Sequence, residues 1–118
     1  MLDVRVILDS PVEAVLDFKC CQLPGLNVEV LVRNEGEAPA VVRGRLHYRA
    51  PDGSAGALDL YPYWPLTLAP GEVAAFYGGM DADRLRRCDR IEIEDERGRR
   101  YAGRICELTD WRIGELAD

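Results

Sequence analysis

The sequence predicts an all-β protein, an antiparallel β-sandwich of seven to eight short strands with one helical turn near 81–87 and a C-terminal tail. Three observations carry that expectation. Apolar and polar residues alternate with period two along most of the chain, the pattern of strands that bury one face. Turn signals built on Asn, Asp, Pro and Gly punctuate the alternation at short intervals. Finally, 118 residues, 47% hydrophobic and 31% charged, are enough for one buried core and leave little room for a second. The expected organisation is a single domain over 1–108 and a tail over 109–118.

The elements follow in order. Leu2, Val4, Val6 and Leu8 alternate with Asp3, Arg5 and Asp9. Val12, Ala14, Leu16, Phe18 and Cys20 form a second alternating run; Ser10-Pro11-Val12-Glu13 also fits a helix start, but the β-branched and aromatic residues favour a strand. From Asn27 to Arg33, Val28, Val30 and Val32 share a face, and the run ends at Asn34-Glu35-Gly36, where Asn and Gly tolerate positive φ. Ala40 to Arg49 puts Val42, Gly44, Leu46 and Tyr48 on one face and Arg43, Arg45, His47 and Arg49 on the other.

Pro51-Asp52-Gly53 makes the next turn. A small-residue loop then leads into Leu58–Pro65, whose prolines restrict it to an edge strand or an extended loop. Ala69-Pro70-Gly71-Glu72 fits a type II turn before a strand from Val73 to Tyr77. Asp81 is placed to cap a helical turn ending near Arg87. Arg90 to Glu96 alternates with Ile91 and Ile93 inward, and Arg97-Gly98 turns it back into Arg99–Ile105 as a hairpin. The first strand and the 58–65 segment are expected at sheet edges, where charges such as Asp3 and Arg5 discourage open-ended pairing.

Val28-x-Val30-x-Val32-x-Asn34-x-Gly36-x-Ala38-Pro39-Ala40, followed by Leu68-Ala69-Pro70-Gly71-Glu72, resembles bacterial immunoglobulin-like modules of the CARDB type over about residues 26–95. The resemblance implies an immunoglobulin-like sandwich with an adhesive or architectural role, and it brings no catalytic residues. This chain departs from those modules, which are typically secreted, in lacking an export signal.

Charge and composition narrow the function classes. The formal net charge is −6, but it is uneven: residues 1–83 carry 6 basic and 12 acidic side chains, whereas 84–104 carry 8 arginines and 5 acids. An acidic protein with one local arginine-rich stretch is poorly suited to generic nucleic-acid binding, so no nucleic-acid partner is expected. No apolar run approaches the ~20 residues of a membrane span. The N-terminal alternation is not that of a signal peptide, which predicts a cytoplasmic protein with its four cysteines as thiols.

Cys20, Cys21, Cys88 and Cys106 lack the C-x₂₋₄-C spacing of a zinc site, and the adjacent pair points to opposite faces of any regular strand. His47 is the single histidine and falls on the arginine face, with no nucleophile motif beside it. Glu92, Glu94 and Glu96 line one strand face and read as cross-strand partners of the 40–49 arginine row if those two strands are neighbours. Phosphate loops and hydrolase or metalloprotease motifs are absent. The sequence therefore points away from an enzyme and from metals or cofactors.

What remains is a protein-binding or structural module. Its expected contact residues are Tyr61, Tyr63 and Trp64 in the proline-flanked loop, Arg97, Arg99 and Arg100 in the hairpin, and Trp111 and Ile113 in the tail. Tyr and Trp concentrate binding energy at interfaces, and prolines limit the entropy lost when they dock. Two other readings stand beside it: a small acidic inhibitor or immunity-type protein steered by its acidic 1–83 region, and a thiol or metal protein using the four cysteines. The partner of such a module is a protein, and self-association as a homodimer stays open.

Overall fold

The alternation becomes eight strands in the computed structural model, which describes residues 1–8 and 28–105. They are β1 (Leu2–Leu8), β2 (Val28–Asn34), β3 (Ala40–Arg49), β4 (Ala55–Asp59), β5 (Leu66–Leu68), β6 (Val73–Gly78), β7 (Arg90–Asp95) and β8 (Arg100–Ile105). One short helix, α1 (Ala82–Arg86), interrupts them. The all-β expectation holds. The run from Val12 to Cys20 and the 109–118 tail lie outside the described residues.

The strands form one mixed, curled sheet in the order β4-β3-β7-β8-β1-β2-β6, with β5 also on β3. Two expectations need correction. The sheet is not wholly antiparallel, because β1 and β8 run parallel through Val4–Gly103, Arg5–Arg104 and Val6–Ile105. For the same reason β1 is no edge strand: β2 pairs with its other side from Leu2–Asn34 to Leu8–Val28. The alternation of β1 fixes its buried face but carries no information about its neighbours.

Strand β8 turns the sheet. Its first half, Arg100 to Ala102, pairs with β7, and its second half, Gly103 to Ile105, pairs with β1. Gly103 suits that handover: a β-carbon there would lie 3.1 Å from Val4 Cγ1 and 3.3 Å from Val6 Cγ2. The curl brings the two ends of the path together. After β4, the Leu60 N–H donates to Gly44 O of β3 at 2.7 Å, while Tyr61 exchanges two bonds with Tyr77 of β6, at 2.7 and 2.8 Å. Gly44 is needed here, because a β-carbon at that position would collide with the Phe76 ring.

The enclosed face is the core. Val4, Val6, Val28, Val30, Val32, Val42, Leu46, Leu60, Phe76, Leu85 and Ile93 are essentially removed from water. Each such side chain contributes about 1.5–3 kcal/mol relative to exposure. Both β3 and β7 insert on the expected phase, with Val42, Gly44 and Leu46, and Ile91 and Ile93, facing in.

The turns follow the predicted chemistry with one exception. Gly53, Gly71 and Gly98 take positive φ, and the Glu72 N–H donates to Ala69 O as a type II turn requires. Asp81 caps α1, accepting from the Asp83 N–H at 3.0 Å. At Asn34-Glu35-Gly36, by contrast, Gly36 is not among the positive-φ glycines. The Asn34 side chain builds that turn, its Oδ1 accepting from the Gly36 N–H at 2.9 Å. Its amide donates onward to Ala38 O at 2.8 Å and to Leu68 O at 2.9 Å.

Candidate interaction surface

The proline-flanked loop leaves the sheet at the Tyr61–Tyr77 bridge and rejoins it where β5 pairs with β3. Between these anchors the backbone is short and carries Pro62 and Pro65. Tyr61 stays half-buried and acts as the platform: the Tyr63 ring packs edge-on at 5.8 Å and the Trp64 ring at 5.7 Å. Tyr63 is 64% exposed and Trp64 54%. The three aromatic residues singled out in the sequence are therefore brought together, two of them facing solvent. Offset and edge-on ring pairs add roughly 0.5–1.5 kcal/mol beyond burial, which favours the clustered arrangement.

The arginine hairpin is organised differently. Asp95, buried at the end of β7, accepts from the Arg97 and Arg99 N–H groups, both at 2.9 Å, and from Arg99 Nε and Tyr101 Oη–H at 3.1 and 3.2 Å. Burial pushes its carboxyl up, but the two backbone donors, Tyr101 and the Arg99 charge outweigh burial and hold it below the usual carboxylate range. Burial and the Asp95 charge in turn raise the Tyr101 phenol. Arg99 is thus engaged in the turn itself. Arg100 leans on the β7 row, 3.8 Å from Glu92 Oε1 and 3.9 Å from Glu94 Oε2. Trp111 and Ile113 lie outside the described residues.

Strands β3 and β7 are neighbours, so the arginine and glutamate rows do share an outer face. Their pairing is not the simple row-to-row match. Arg45 reaches Asp59 at 3.7 Å and Arg49 reaches Asp89 at 3.7 Å, leaving Glu94 to His47 and Arg100. His47 Nε2 stands 3.2 Å from Glu94 Oε2, off the direction of a hydrogen bond. Beside it a groove of ≈ 320 Å³ is lined by Arg43, Arg45, His47, Glu94 and Pro65. Sequence reasoning missed this acid–imidazole contact, because the direct partner of His47 across the ladder is Glu92, and a diagonal contact to Glu94 is a tertiary property.

Of the four cysteines, the described residues include only Cys88, half-buried, its Sγ–H donating to Arg84 O at 3.3 Å. Burial raises its thiol, with Arg84 and Arg87 opposing and Asp89 and Asp52 adding to the rise. Among the described residues no three His, Cys, Asp or Glu side chains cluster as metal ligands. No described helix is long and apolar enough to cross a membrane. No family model, curated protein or solved structure matches this chain.

Proposed function

We propose that this chain is a non-catalytic, immunoglobulin-like module that binds another protein in the cytoplasm through the 61–65 loop. The observation that carries the reading is the pair of solvent-facing rings, Tyr63 and Trp64, packed against Tyr61 on a loop tied to the sheet at both ends. Rigid exposed aromatics lose little freedom on docking, which is why they dominate interface energetics.

Support for the immunoglobulin-like class comes from the two motifs behind the resemblance. They meet in space: the Asn34 N–H donates to Glu72 O, the Gly71 N–H to Asn34 O, and the Asn34 amide to Leu68 O. The turn after β2 and the turn before β6 are thereby one hydrogen-bonded unit.

The test is capture from a lysate of the native host on the immobilised chain, in parallel with a Tyr63→Ala, Trp64→Ala variant of unchanged fold. A stoichiometric protein retained by the parent and lost by the variant is the expected result. Equal retention by both, or retention by neither, overturns the loop as the binding surface.

A further inference from the structure

We propose that the outer edge of β4 accepts an extended, acidic segment of a partner protein as an added strand. The proposal extends the protein-binding reading to a second surface and does not use the aromatic loop.

The edge follows from hydrogen-bond parity. In the β3–β4 ladder the Ala50 N–H donates to Ser54 O and the Leu60 N–H to Gly44 O, so the even-numbered residues of β4 turn their main-chain groups toward β3. The odd-numbered residues turn theirs away. Tyr61 shows the same parity, since its N–H and C=O both reach Tyr77 on the far side. That bridge ends with β6 at Gly78, so Ala55, Ala57 and Asp59 face outward with no strand beside them among the described residues. All three are exposed. Edge strands are blunted by charge, proline, a bulge or short length; the five residues Ala55–Asp59 hold no lysine, proline or register shift, and their one charge, Asp59, is engaged by Arg45 at 3.7 Å. An open ladder of this kind is the template for β-strand addition.

Charge selects the occupant. The side chains of Ala55 and Ala57 share the outer face with Arg45, His47 and Arg49 of β3 and are too small to cover it, while Asp59 at the end of the strand lies 3.7 Å from Arg45. Here a shallow groove of ≈ 520 Å³ is lined by Ala55 and Ala57 and by Arg45, Arg49, Arg90 and Arg100. Glu92 is the one acid in it, within 3.8 Å of Arg100. Arg49 and Arg90 stand directly opposite each other in the β3–β7 register, a like-charge pair that is destabilising across a ladder. The Asp89 carboxylate, 3.7 Å from Arg49 at an exposed site, offsets it only in part. A strand added beside β4 lies about 5 Å beyond it and about 10 Å from β3, a span that a β3 arginine and an acidic side chain bridge together. Glutamate or aspartate at alternate positions of that strand would meet Arg45 and Arg49 of β3, while Arg90, one strand further in, adds to the positive field.

The probe is a fluorescein-labelled peptide alternating glutamate with valine over nine residues, with a lysine–valine peptide as control. Fluorescence polarisation gives affinity, and amide chemical shifts of the isotope-labelled chain give position. The expected result is binding of the glutamate peptide at least tenfold tighter than the lysine peptide, with the largest shifts at Ala55, Ala57 and Asp59. Ala57→Pro removes an outward N–H without breaking the β3–β4 ladder, and Arg49→Glu with Arg90→Glu reverses the charge; each is expected to weaken binding at least tenfold. Both variants are first checked for a parental circular dichroism spectrum, and the charge variant carries the test if the proline variant does not fold. Trp64→Ala leaves peptide affinity unchanged.

Absence of binding at millimolar peptide overturns the proposal, as does equal binding of the two peptides. An oligothymidylate of equal charge binding as tightly overturns it in favour of a general polyanion site. Dimerisation abolished by Ala57→Pro, without peptide binding, overturns it in favour of a second copy of this chain. If Trp64→Ala abolishes peptide binding and Ala57→Pro does not, the edge is wrong and the aromatic loop stands.

Discussion

Strands β2 and β3 are written in the same period-two code, yet one is buried on both faces and the other on one. In β2, Val28, Val30 and Val32 face the core, and Glu29 and Leu31 between them are also buried. In β3, Val42, Gly44 and Leu46 face the core while Arg43, Arg45 and Arg49 stand in water. The neighbouring strands repeat the contrast: on β1, paired with β2, Ile7 is buried off the valine phase, whereas Glu92 and Glu94 on β7 stay at the surface. Alternation therefore identifies the inward set but not whether the second face is covered, since Glu29 is charged and yet fully buried. Stability is expected to concentrate where both faces are dry, and surface electrostatics where one is not.

The largest test of that contrast is Phe76→Ala. Phe76 pairs with Val30 and fills the space over Gly44, so its truncation is expected to lower unfolding free energy by about 3–5 kcal/mol in urea titrations. A loss under about 1 kcal/mol would mean that the half buried on both faces is loosely packed. Next is Asn34→Ala, which strands the Leu68 carbonyl at a buried site and the Ala38 carbonyl and Gly36 N–H at partly buried ones. A loss of about 2 kcal/mol is expected from equilibrium unfolding, since each orphaned buried group costs about 1–3 kcal/mol before water relieves some of them.

Asp95→Asn probes the charged half at its one buried acid. Its carboxyl titrates lower in the folded chain than in the unfolded one, so its contribution is complete above the unfolded value, about 3.9. That contribution falls away as the pH drops from there through the lowered folded value. The parent should therefore lose stability below about pH 4 more steeply than the variant, and at pH 7 the variant should be about 1 kcal/mol less stable. Thermal unfolding across pH 2–7 reads both, and parallel acid profiles would remove Asp95 as the anchor of the hairpin.

Smallest is Arg45→Ala, which breaks the exposed 3.7 Å pair with Asp59. Less than about 0.5 kcal/mol is expected by the same titration. A value rivalling Phe76→Ala would break the comparison, because the wet face would then carry stability as well as charge.

Much of the fold was legible because the signals are local. The turns at Gly53, Gly71 and Gly98 and the cap at Asp81 follow from residue type and from what a backbone conformation demands. The inward valines follow from side-chain period. Pairing partners do not, since a strand's hydrophobic phase fits several neighbours equally well; hence β1 was expected at an edge and stands between β2 and β8. The turn at Asn34 was located correctly for the wrong reason, as side-chain hydrogen bonding replaces the positive φ that Gly36 permits. Within the candidate surface, residue type singled out Tyr61, Tyr63 and Trp64. Which rings face water depends on the Tyr61–Tyr77 bridge, and that bridge forms only once the sheet has curled.

The parallel pair also bears on how fast the molecule can form. Val4 beside Gly103 joins segments nearly a hundred positions apart, and the entropy of closing that loop is lost before the contact returns anything. Hairpins such as β3–β4 and β7–β8 assemble from neighbours, but β8 completes the sheet only by docking against β1. Non-local pairing of this kind slows folding into the millisecond-to-second range. The rate-limiting event is then expected at the β1–β8 seam rather than in any turn, with the edges of both strands open until it closes.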